Sequence, residues 1–200
     1  MRTNKTLSER KRESIINAAR LCFQKEGFDA TSMDKIAEVA QVSKRTVYNH
    51  FDNKESLLIH LLSDVWITGM VNSDLVYKKD VDLRTQLIEL CLVEVKLVTN
   101  KEYLDLARVA FGHYLFKPLP QEIQNIVSQE TFIHRWVSAA AIDGKLKKLN
   151  VEKATKQLHG LIKGQGHWGQ IINISPLLNG QQQQDLAEST ADLFLSHYQK

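Results

Sequence analysis

Hydrophobic residues recur along this 200-residue chain at steps of three and four positions. That interval matches one face of an α-helix, whereas a β-strand would show strict alternation of apolar and polar residues. No turn dipeptide separates two alternating runs, so the signals of a β-hairpin are lacking. The first helix is expected to follow a cap at Ser8 and to end at Gly27. The pattern predicts an all-α fold of nine helices, at residues 7–26, 33–40, 44–50, 54–77, 83–99, 101–116, 121–142, 151–172 and 181–198.

The second and third predicted helices are short and are joined by a tight turn. Ser32 and Ser43 can cap them, because a side-chain oxygen at that position accepts a hydrogen bond from the first helical turn. In the third helix only Val47, together with the following Phe51, faces inward. A helix this short and polar is marginal alone, but a helix-turn-helix gives it a role in the DNA major groove. Its exposed positions are Lys44, Arg45, Thr46, Tyr48 and Asn49.

Residues 31–57 resemble the DNA-binding signature of the tetracycline-repressor (TetR) family of bacterial transcriptional regulators. One departure is Gln41, which stands where the family usually has glycine. A positive φ at that position would cost a residue with a Cβ roughly 1 kcal/mol. The matching elements are Thr31-Ser32, Ile36-Ala37, Ala40-Gln41-Val42-Ser43, Tyr48-Asn49-His50-Phe51 and Lys54-Glu55-Ser56-Leu57.

The resemblance implies a nine-helix, TetR-like fold with two domains. A three-helix, helix-turn-helix DNA-binding domain is expected at residues 1–53, and a helical effector-binding and dimerisation domain at residues 54–200. The C-terminal part is similar, more loosely, to the AefR-like subgroup. That similarity is carried by a glycine-punctuated penultimate helix, an Asp-Gly-Lys-Leu turn at 143–146, and the closing residues Phe194, Leu195 and Tyr198.

By this resemblance, the side chains of Tyr48, His50 and Lys54 contact DNA phosphates. A phenol, an imidazole and an ammonium can each donate to a phosphate oxygen. Lys44, Arg45, Thr46 and Asn49 lie at the leading end and exposed face of the recognition helix, so base edges are their expected targets. Arg45 can read a guanine bidentately, and Asn49 can read an adenine. Alternatives stay open for Tyr48, whose ring can pack at the helix edge, and for His50, which can cap the helix C-terminus. The expected DNA-binding residues are Thr31, Ser32, Ser43, Lys44, Arg45, Thr46, Tyr48, Asn49, His50 and Lys54.

Positive charge is concentrated in the first part of the chain. Residues 1–60 carry 11 Lys and Arg against 8 Asp and Glu, whereas the remaining residues carry 15 of each. This excess accompanies the helix-turn-helix, as phosphate binding requires, although a basic N-terminus by itself is often a solvated tail. The arm before Ser8, with Arg2 and Lys5, is expected to add affinity for DNA without sequence specificity.

Glycines punctuate the penultimate helix. Residues 164–169 match the GxGxxG fingerprint of dinucleotide-binding proteins, but that motif requires a strand before it, and a helical stretch precedes it here. We therefore reject a nucleotide site. Gly160 and Gly164 lie one turn apart and carry no side chain, so another helix can approach this face closely. In the family, the last two helices of each subunit form a four-helix dimer interface. The expected interface residues are Gly160, Gly164, Trp168, Leu186, Leu193 and Phe194.

Aromatic and soft side chains are frequent between the helix-turn-helix and the last two helices. In the family, a cavity in this region binds a small effector, which the residue types here would make largely apolar. The alternative is an ordinary core, because aromatic residues at helical spacing usually fill one. The expected cavity residues are Trp66, Met70, Cys91, Tyr103, Phe111, Tyr114, Phe132 and Trp136.

Several classes of protein are disfavoured. No run approaches the ~18 consecutive apolar residues of a membrane span, and the N-terminus lacks the apolar core of a signal peptide, so we expect a cytoplasmic protein without a membrane partner. Cys22 and Cys91 are predicted to be reduced core residues. The histidines lack metal-ligand spacing, and no nucleophile motif is present. We expect no metal, no cofactor and no enzymatic activity.

The leading hypothesis is a homodimeric transcriptional regulator, expected to be a repressor, that binds a partly palindromic operator and is released by a small-molecule effector. The first alternative is a constitutive DNA-binding or nucleoid-associated member whose cavity is filled or vestigial and which works with a protein partner. An all-helical enzyme is the second. Binding to its own promoter would support the first two readings, release by a small molecule would separate them, and turnover of a substrate would favour the third.

Overall fold

The computed structural model describes residues 6–200 of the chain. Arg2 and Lys5, the predicted phosphate-binding cations of the N-terminal arm, lie outside the described residues. Residues 6–200 form helices, turns and loops without a β-strand, apart from an isolated bridge between Leu146 and Gln199. The all-α prediction is therefore confirmed. The helices are α1 (Leu7–Glu26), α2 (Met33–Val39), α3 (Lys44–Tyr48), α4 (Lys54–Trp66), α5 (Leu83–Val98), α6 (Lys101–Tyr114), α7 (Gln121–Val127), α8 (Phe132–Ile142), α9 (Val151–Gly166), α10 (Trp168–Ile171) and α11 (Gly180–Tyr198).

The first helix begins and ends through local hydrogen bonding. Thr6, and not the predicted Ser8, is its N-cap: the Thr6 hydroxyl accepts from Glu9 N, and the Glu9 carboxylate accepts from Thr6 N. This reciprocal pair is a capping box, which satisfies two otherwise unpaired N–H groups. At the other end Gly27 adopts φ +80°, as glycine can do without steric cost. The predicted stop at Gly27 is confirmed.

Three predicted helices are interrupted in the structure. The one at 121–142 is divided because the Thr131 hydroxyl accepts from His134 N (3.2 Å) and starts a new helix, α8. The one at 151–172 is divided after Gly166 into α9 and α10. The one at 54–77 ends at Trp66 and continues as a π-helical segment, Ile67–Val71. In each case a periodic apolar pattern continues past the point where the backbone hydrogen bonding changes.

The described chain forms two compact units. The first comprises the residues up to Val65 together with Asp105–Ile126, and the second comprises Trp66–Leu104 and Val127–Lys200. This division differs from the predicted boundary after residue 53. The reason is that α4 supplies Leu57, Leu58 and Leu61, all fully buried, to the first unit's core.

Each unit has its own hydrophobic core. The first core contains Phe23, Ile36 and Val47, and the second contains Leu87, Trp136 and other side chains of α5, α8, α9 and α11. Both free cysteines are buried, Cys22 in the first core and Cys91 in the second. Burial raises the pKa of both thiols. Among residues 6–200, no helix is long and apolar enough to cross a lipid bilayer.

Gln41 occupies the turn between α2 and α3 with a φ of +55°. Such a φ strains any residue that carries a Cβ, so we expect Gln41→Gly to increase the free energy of unfolding by about 1 kcal/mol. Thermal and urea denaturation would measure the change. Gln41→Ala is the matched control, because alanine keeps the Cβ and should leave the strain in place. Equal stability of the glycine and alanine variants would contradict the prediction.

Candidate nucleic-acid interface

The two helices of the motif are each started by a serine. Ser32 Oγ accepts from Lys35 N and Ser43 Oγ accepts from Thr46 N, both at 3.1 Å. These are the predicted N-caps, and they satisfy N–H groups that a helix leaves unpaired. Val47 is fully buried and anchors α3 to the first core. The short, polar α3 is thus held by its cap and by its inward face.

Side chains of the first helix contact the motif and the residues that follow it. Ser14 Oγ donates to the carbonyl of Ala40 (2.9 Å), at the end of α2. The Arg12 guanidinium lies 5.0 Å from the centroid of the Phe51 ring, and its Nη1 lies 3.5 Å from His60 Nε2. Burial, followed by the charge of Arg12, lowers the pKa of His60. These contacts were not predicted, because Ser14 and Arg12 are distant from the motif in sequence.

The outward side of α3 presents polar and cationic groups to solvent. Lys44, Arg45 and Asn49 are exposed, and Tyr48 exposes 46% of its surface. Lys44 Nζ lies 2.7 Å from Asp34 Oδ1, and the hydrogen bond to Asp34 raises the pKa of Lys44. Exposed ion pairs contribute little to stability, so Lys44 can exchange Asp34 for a DNA group at little cost. The structure therefore brings the predicted base-reading residues onto one surface.

Other predicted site residues lie differently. Thr31 is 2% exposed, and its hydroxyl donates to the carbonyl of Gly27 (2.7 Å). Lys54 Nζ donates to the carbonyls of Phe28 and Thr31 and to a third carbonyl between them. The sequence suggested that both residues present polar groups to DNA, whereas here both hold the loop that precedes α2. Ser32 is exposed and His50 is half-buried.

Hydroxyl groups at the start of α3 bond to each other. Ser43 Oγ and Thr46 Oγ1 are 2.8 Å apart, and both residues border the solvent-exposed side of the motif. Each hydroxyl retains acceptor capacity, since a hydroxyl combines one donor with two lone pairs. The two side chains thus support the cap of α3.

The predicted cavity residues are not all in one unit. Tyr114 and Phe111 belong to the first unit, where the Tyr114 hydroxyl donates to Glu55 Oε1 (3.2 Å) and Phe111 is 41% exposed. The remaining six are in the second unit. Spacing along α6 could not reveal this, because the boundary between the units falls within that helix. Four of the six are fully buried core residues and two are partly buried against the same core: Met70, Cys91, Phe132 and Trp136, then Trp66 and Tyr103.

The predicted dimer residues fall into two groups. A Cβ placed on Gly160 or Gly164 would meet no atom within 4 Å, so both glycines border open space. Trp168 and Leu193 are 46% and 53% exposed. The remaining two predicted interface residues are covered within the subunit, because both pack in the second core with at most 5% of their surface exposed. These two are Leu186 and Phe194.

A neighbouring helix approaches Gly166 closely. A Cβ on Gly166 would lie 2.7 Å from Leu186 Cδ2, so the Leu186 side chain would have to move to admit it. The sequence indicated Gly166 only as a letter of the GxGxxG match. In the structure residues 151–166 are helical, so the strand-to-helix turn that would hold a dinucleotide phosphate is not formed there. Within residues 6–200, no group of three or more His, Cys, Asp or Glu side chains is arranged to hold a metal ion.

A capped helix-turn-helix with an exposed cationic second helix, in an otherwise helical chain, defines the class of helix-turn-helix DNA-binding proteins. Comparison with known proteins identifies the family. The model for bacterial regulatory proteins of the tetR family matches residues 15–61. The model for the C-terminal domain of AefR-like transcriptional repressors matches residues 85–200.

Individual relatives agree with these matches. The crystal structure of a TetR family transcriptional regulator from Pseudomonas syringae pv. tomato is 40% identical, with a TM-score of 0.80, over 96% of this chain and 99% of that one. RutR of Escherichia coli is 25% identical over 66% of this chain and 64% of RutR. The transposon protein TetC is 44% identical over 23% of each chain. The alignments thus span less than two thirds of these two curated relatives.

The chain belongs to the TetR family of bacterial regulatory proteins, with an AefR-like C-terminal region. Members of this family are DNA-binding transcription factors and not enzymes. The family resemblance that the motif residues indicated is confirmed.

Proposed function

We propose that this protein is a cytoplasmic transcriptional repressor that binds a partly palindromic DNA operator as a homodimer and is released by a small, largely apolar effector. The observation that carries the proposal is the exposed face of α3. Lys44, Arg45 and Asn49 project from this face, and the helix is held in place by its cap and by the buried Val47. A helix presented in this way fits the major groove, and two copies related by a two-fold axis fit two half-sites.

Each side chain of this face has a role in the proposal. Arg45 reads a base edge, since its guanidinium can bond a guanine bidentately, and Asn49 reads an adenine. Lys44 and Thr46 face base edges beside them, whereas Tyr48 and His50 bind phosphates, which position the helix but carry no sequence information. The exposed Ser32, at the N-terminus of α2, supplies a further phosphate contact.

The surface proposed for dimerisation lies on α9, α10 and α11. Gly160 and Gly164, one turn apart, leave a shallow strip that borders open space within the subunit. Trp168, on α10 directly after α9, and Leu193, on α11, expose apolar surface. Small residues allow helices to approach closely, and exposed aromatic surface is typical of the centre of an interface. These features support a contact with a second copy of the chain.

An effector site in the second unit is supported by an unpaired donor. The indole Nε1 of Trp66 is buried and has no hydrogen-bond acceptor among the residues that the structure describes. A buried N–H without an acceptor is costly, so a bound molecule with an acceptor group would remove that cost. The Trp66 side chain packs against the apolar second core, which favours an effector with a mainly hydrophobic body.

A second candidate function rests on the burial of the predicted cavity residues. Met70, Cys91, Phe132 and Trp136 are all packed in the second core. A filled core of this kind favours a constitutive DNA-binding protein that no small molecule releases. The two candidates are separated by the same binding assay, in which a panel of small apolar molecules is added to the preformed protein–DNA complex. Release by any of them supports the effector-responsive repressor.

The test of DNA binding is fluorescence anisotropy with duplexes from the protein's own promoter region and with random duplexes. We expect tight, salt-dependent binding with a preference for the promoter duplex. Footprinting would then identify the protected inverted repeat. Equal affinity for both duplexes would contradict the operator-binding proposal.

Arg45→Ala is expected to reduce discrimination between the operator and a random duplex by about 1–3 kcal/mol, because it removes a base-edge contact. Titration of both duplexes at one salt concentration measures the change. Lys25→Ala is the matched control, since Lys25 is an exposed cation of α1 that lies outside the motif. If Arg45→Ala weakened both complexes by the same factor, Arg45 would be a phosphate contact instead.

A further inference from the structure

The loop between α1 and α2 sets the direction in which the DNA-binding motif leaves the first helix. It begins at Gly27, with φ +80°, and ends at Ser32, the N-cap of α2. Within it the Thr31 hydroxyl donates to the carbonyl of Gly27 (2.7 Å). Because α2 and α3 follow this loop directly, a change in its path would move the whole motif.

The ammonium group of Lys54 is bound at the centre of this loop. Its Nζ lies 2.7 Å from the carbonyl oxygen of Phe28 and 3.1 Å from those of Asp29 and Thr31. An ammonium has three N–H donors, so three carbonyls engage all of them. In this arrangement no donor remains for a DNA phosphate, although the family resemblance suggested one.

The ring of Phe28 contacts both Lys54 and a second side chain, His113, that holds the loop. Lys54 Nζ lies 4.5 Å from the ring centroid of Phe28, within the range of a cation–π contact. The imidazole of His113, on α6, packs against the same ring with the two centroids 3.9 Å apart. His113 also places Nδ1 at 3.8 Å from Asp29 Oδ1. The loop is therefore held from α4 through Lys54 and from α6 through His113.

We infer that Lys54 is a positioning residue for DNA recognition: by binding three carbonyls of the α1–α2 loop it fixes α2 and α3 in the orientation that enters the major groove. The inference rests on the proposed DNA-binding function. A positioning role of Lys54 differs from a phosphate-binding role in one measurable respect. Loss of a positioning contact weakens binding to every duplex while the number of neutralised phosphates, and hence the salt dependence, is unchanged.

The experiment compares the wild-type protein with Lys54→Met, which keeps the alkyl chain and removes the donors. Affinities for the promoter duplex and a random duplex are measured across a range of salt concentrations, at a temperature where circular dichroism shows both proteins fully folded. We expect roughly tenfold weaker binding to both duplexes, as for the loss of hydrogen bonds to a charged group. The slope of log K against log salt should stay unchanged, and hydrogen exchange of the amides at 27–39 should accelerate.

Thr31→Val is a second variant, because it loosens the same loop without changing any charge. It should also weaken binding to both duplexes with an unchanged salt slope. The inference is overturned if Lys54→Met flattens the slope by about 0.9 for each subunit while amide exchange in the loop stays as in the wild type, since that is the signature of a lost phosphate contact. Unchanged affinity in Lys54→Met would overturn it as well. Failure of the wild-type protein to bind any duplex would refute the proposed function itself, which is a separate result.

Discussion

His159→Ala is expected to lower the free energy of unfolding by about 3 kcal/mol, the upper end of the cost of leaving a buried hydrogen-bonding group without its partner. His159 Nδ1, on α9, lies 2.8 Å from both carboxylate oxygens of Glu94, on α5. Glu94 is 0% exposed, so its carboxyl group depends on partners within the protein. Urea denaturation followed by circular dichroism measures the change.

The control for this prediction removes both partners. The double variant Glu94→Leu/His159→Leu should recover most of the lost stability, because replacing a buried pair with apolar side chains of similar size is often neutral or stabilising. A double variant as unstable as His159→Ala would show that the packing of the imidazole, and not the unpaired carboxyl group, determines the loss.

The surroundings of Glu94 show how thoroughly this part of the second unit is shielded from water. Burial, with a smaller contribution from the Glu94 carboxylate, raises the pKa of Tyr103 to about 12. The same two causes raise the pKa of Cys91. In such an environment an unpaired polar group cannot find a substitute partner, which is why the expected cost of His159→Ala is large.

Gly164→Leu is expected to weaken or abolish the proposed dimer while leaving the subunit folded. Overpacking typically costs about 1–3 kcal/mol, and a two-fold interface contains the substitution twice. Within the subunit a Cβ at Gly164 meets no atom within 4 Å, so folding should be unaffected. Sedimentation velocity of wild type and variant at matched concentrations measures the dimer, and thermal denaturation measures the fold.

Two other helical glycines serve as controls. Gly112→Leu, on α6, also points into open space and should change neither the dimer nor the stability. Gly166→Leu should instead destabilise the subunit, because its Cβ would lie 2.7 Å from Leu186 Cδ2. A wild-type protein that sediments as a monomer at micromolar concentration would contradict the homodimer. A Gly164→Leu dimer as tight as the wild type would place the interface elsewhere.

Local chemistry accounts for the features that could be predicted well. A serine before each short helix of the motif is a cap whatever the rest of the chain does, because its oxygen bonds an amide three residues away. Gly27 ends α1 for an equally local reason, since glycine adopts a positive φ without steric cost. The inward position of Val47 likewise follows from helical periodicity.

Features that depend on distant residues could not be predicted in this way. Periodicity showed that Leu186 and Phe194 lie on an apolar face, but not whether a second subunit or the chain's own core covers that face. The structure places both in the subunit's core. Capping by Thr131 likewise outweighed an apolar pattern that continued through the break between α7 and α8.

The sequence by itself determined the all-α class, the helix-turn-helix and its exposed polar face, because caps and periodicity act over a few residues. Only the tertiary structure decided what Lys54 binds, since its three acceptors are carbonyls more than twenty positions earlier in the chain. It also decided that Gly164 faces open space while Gly166 packs against Leu186. A side chain's type states which bonds it can form, whereas the fold alone brings a particular partner within reach.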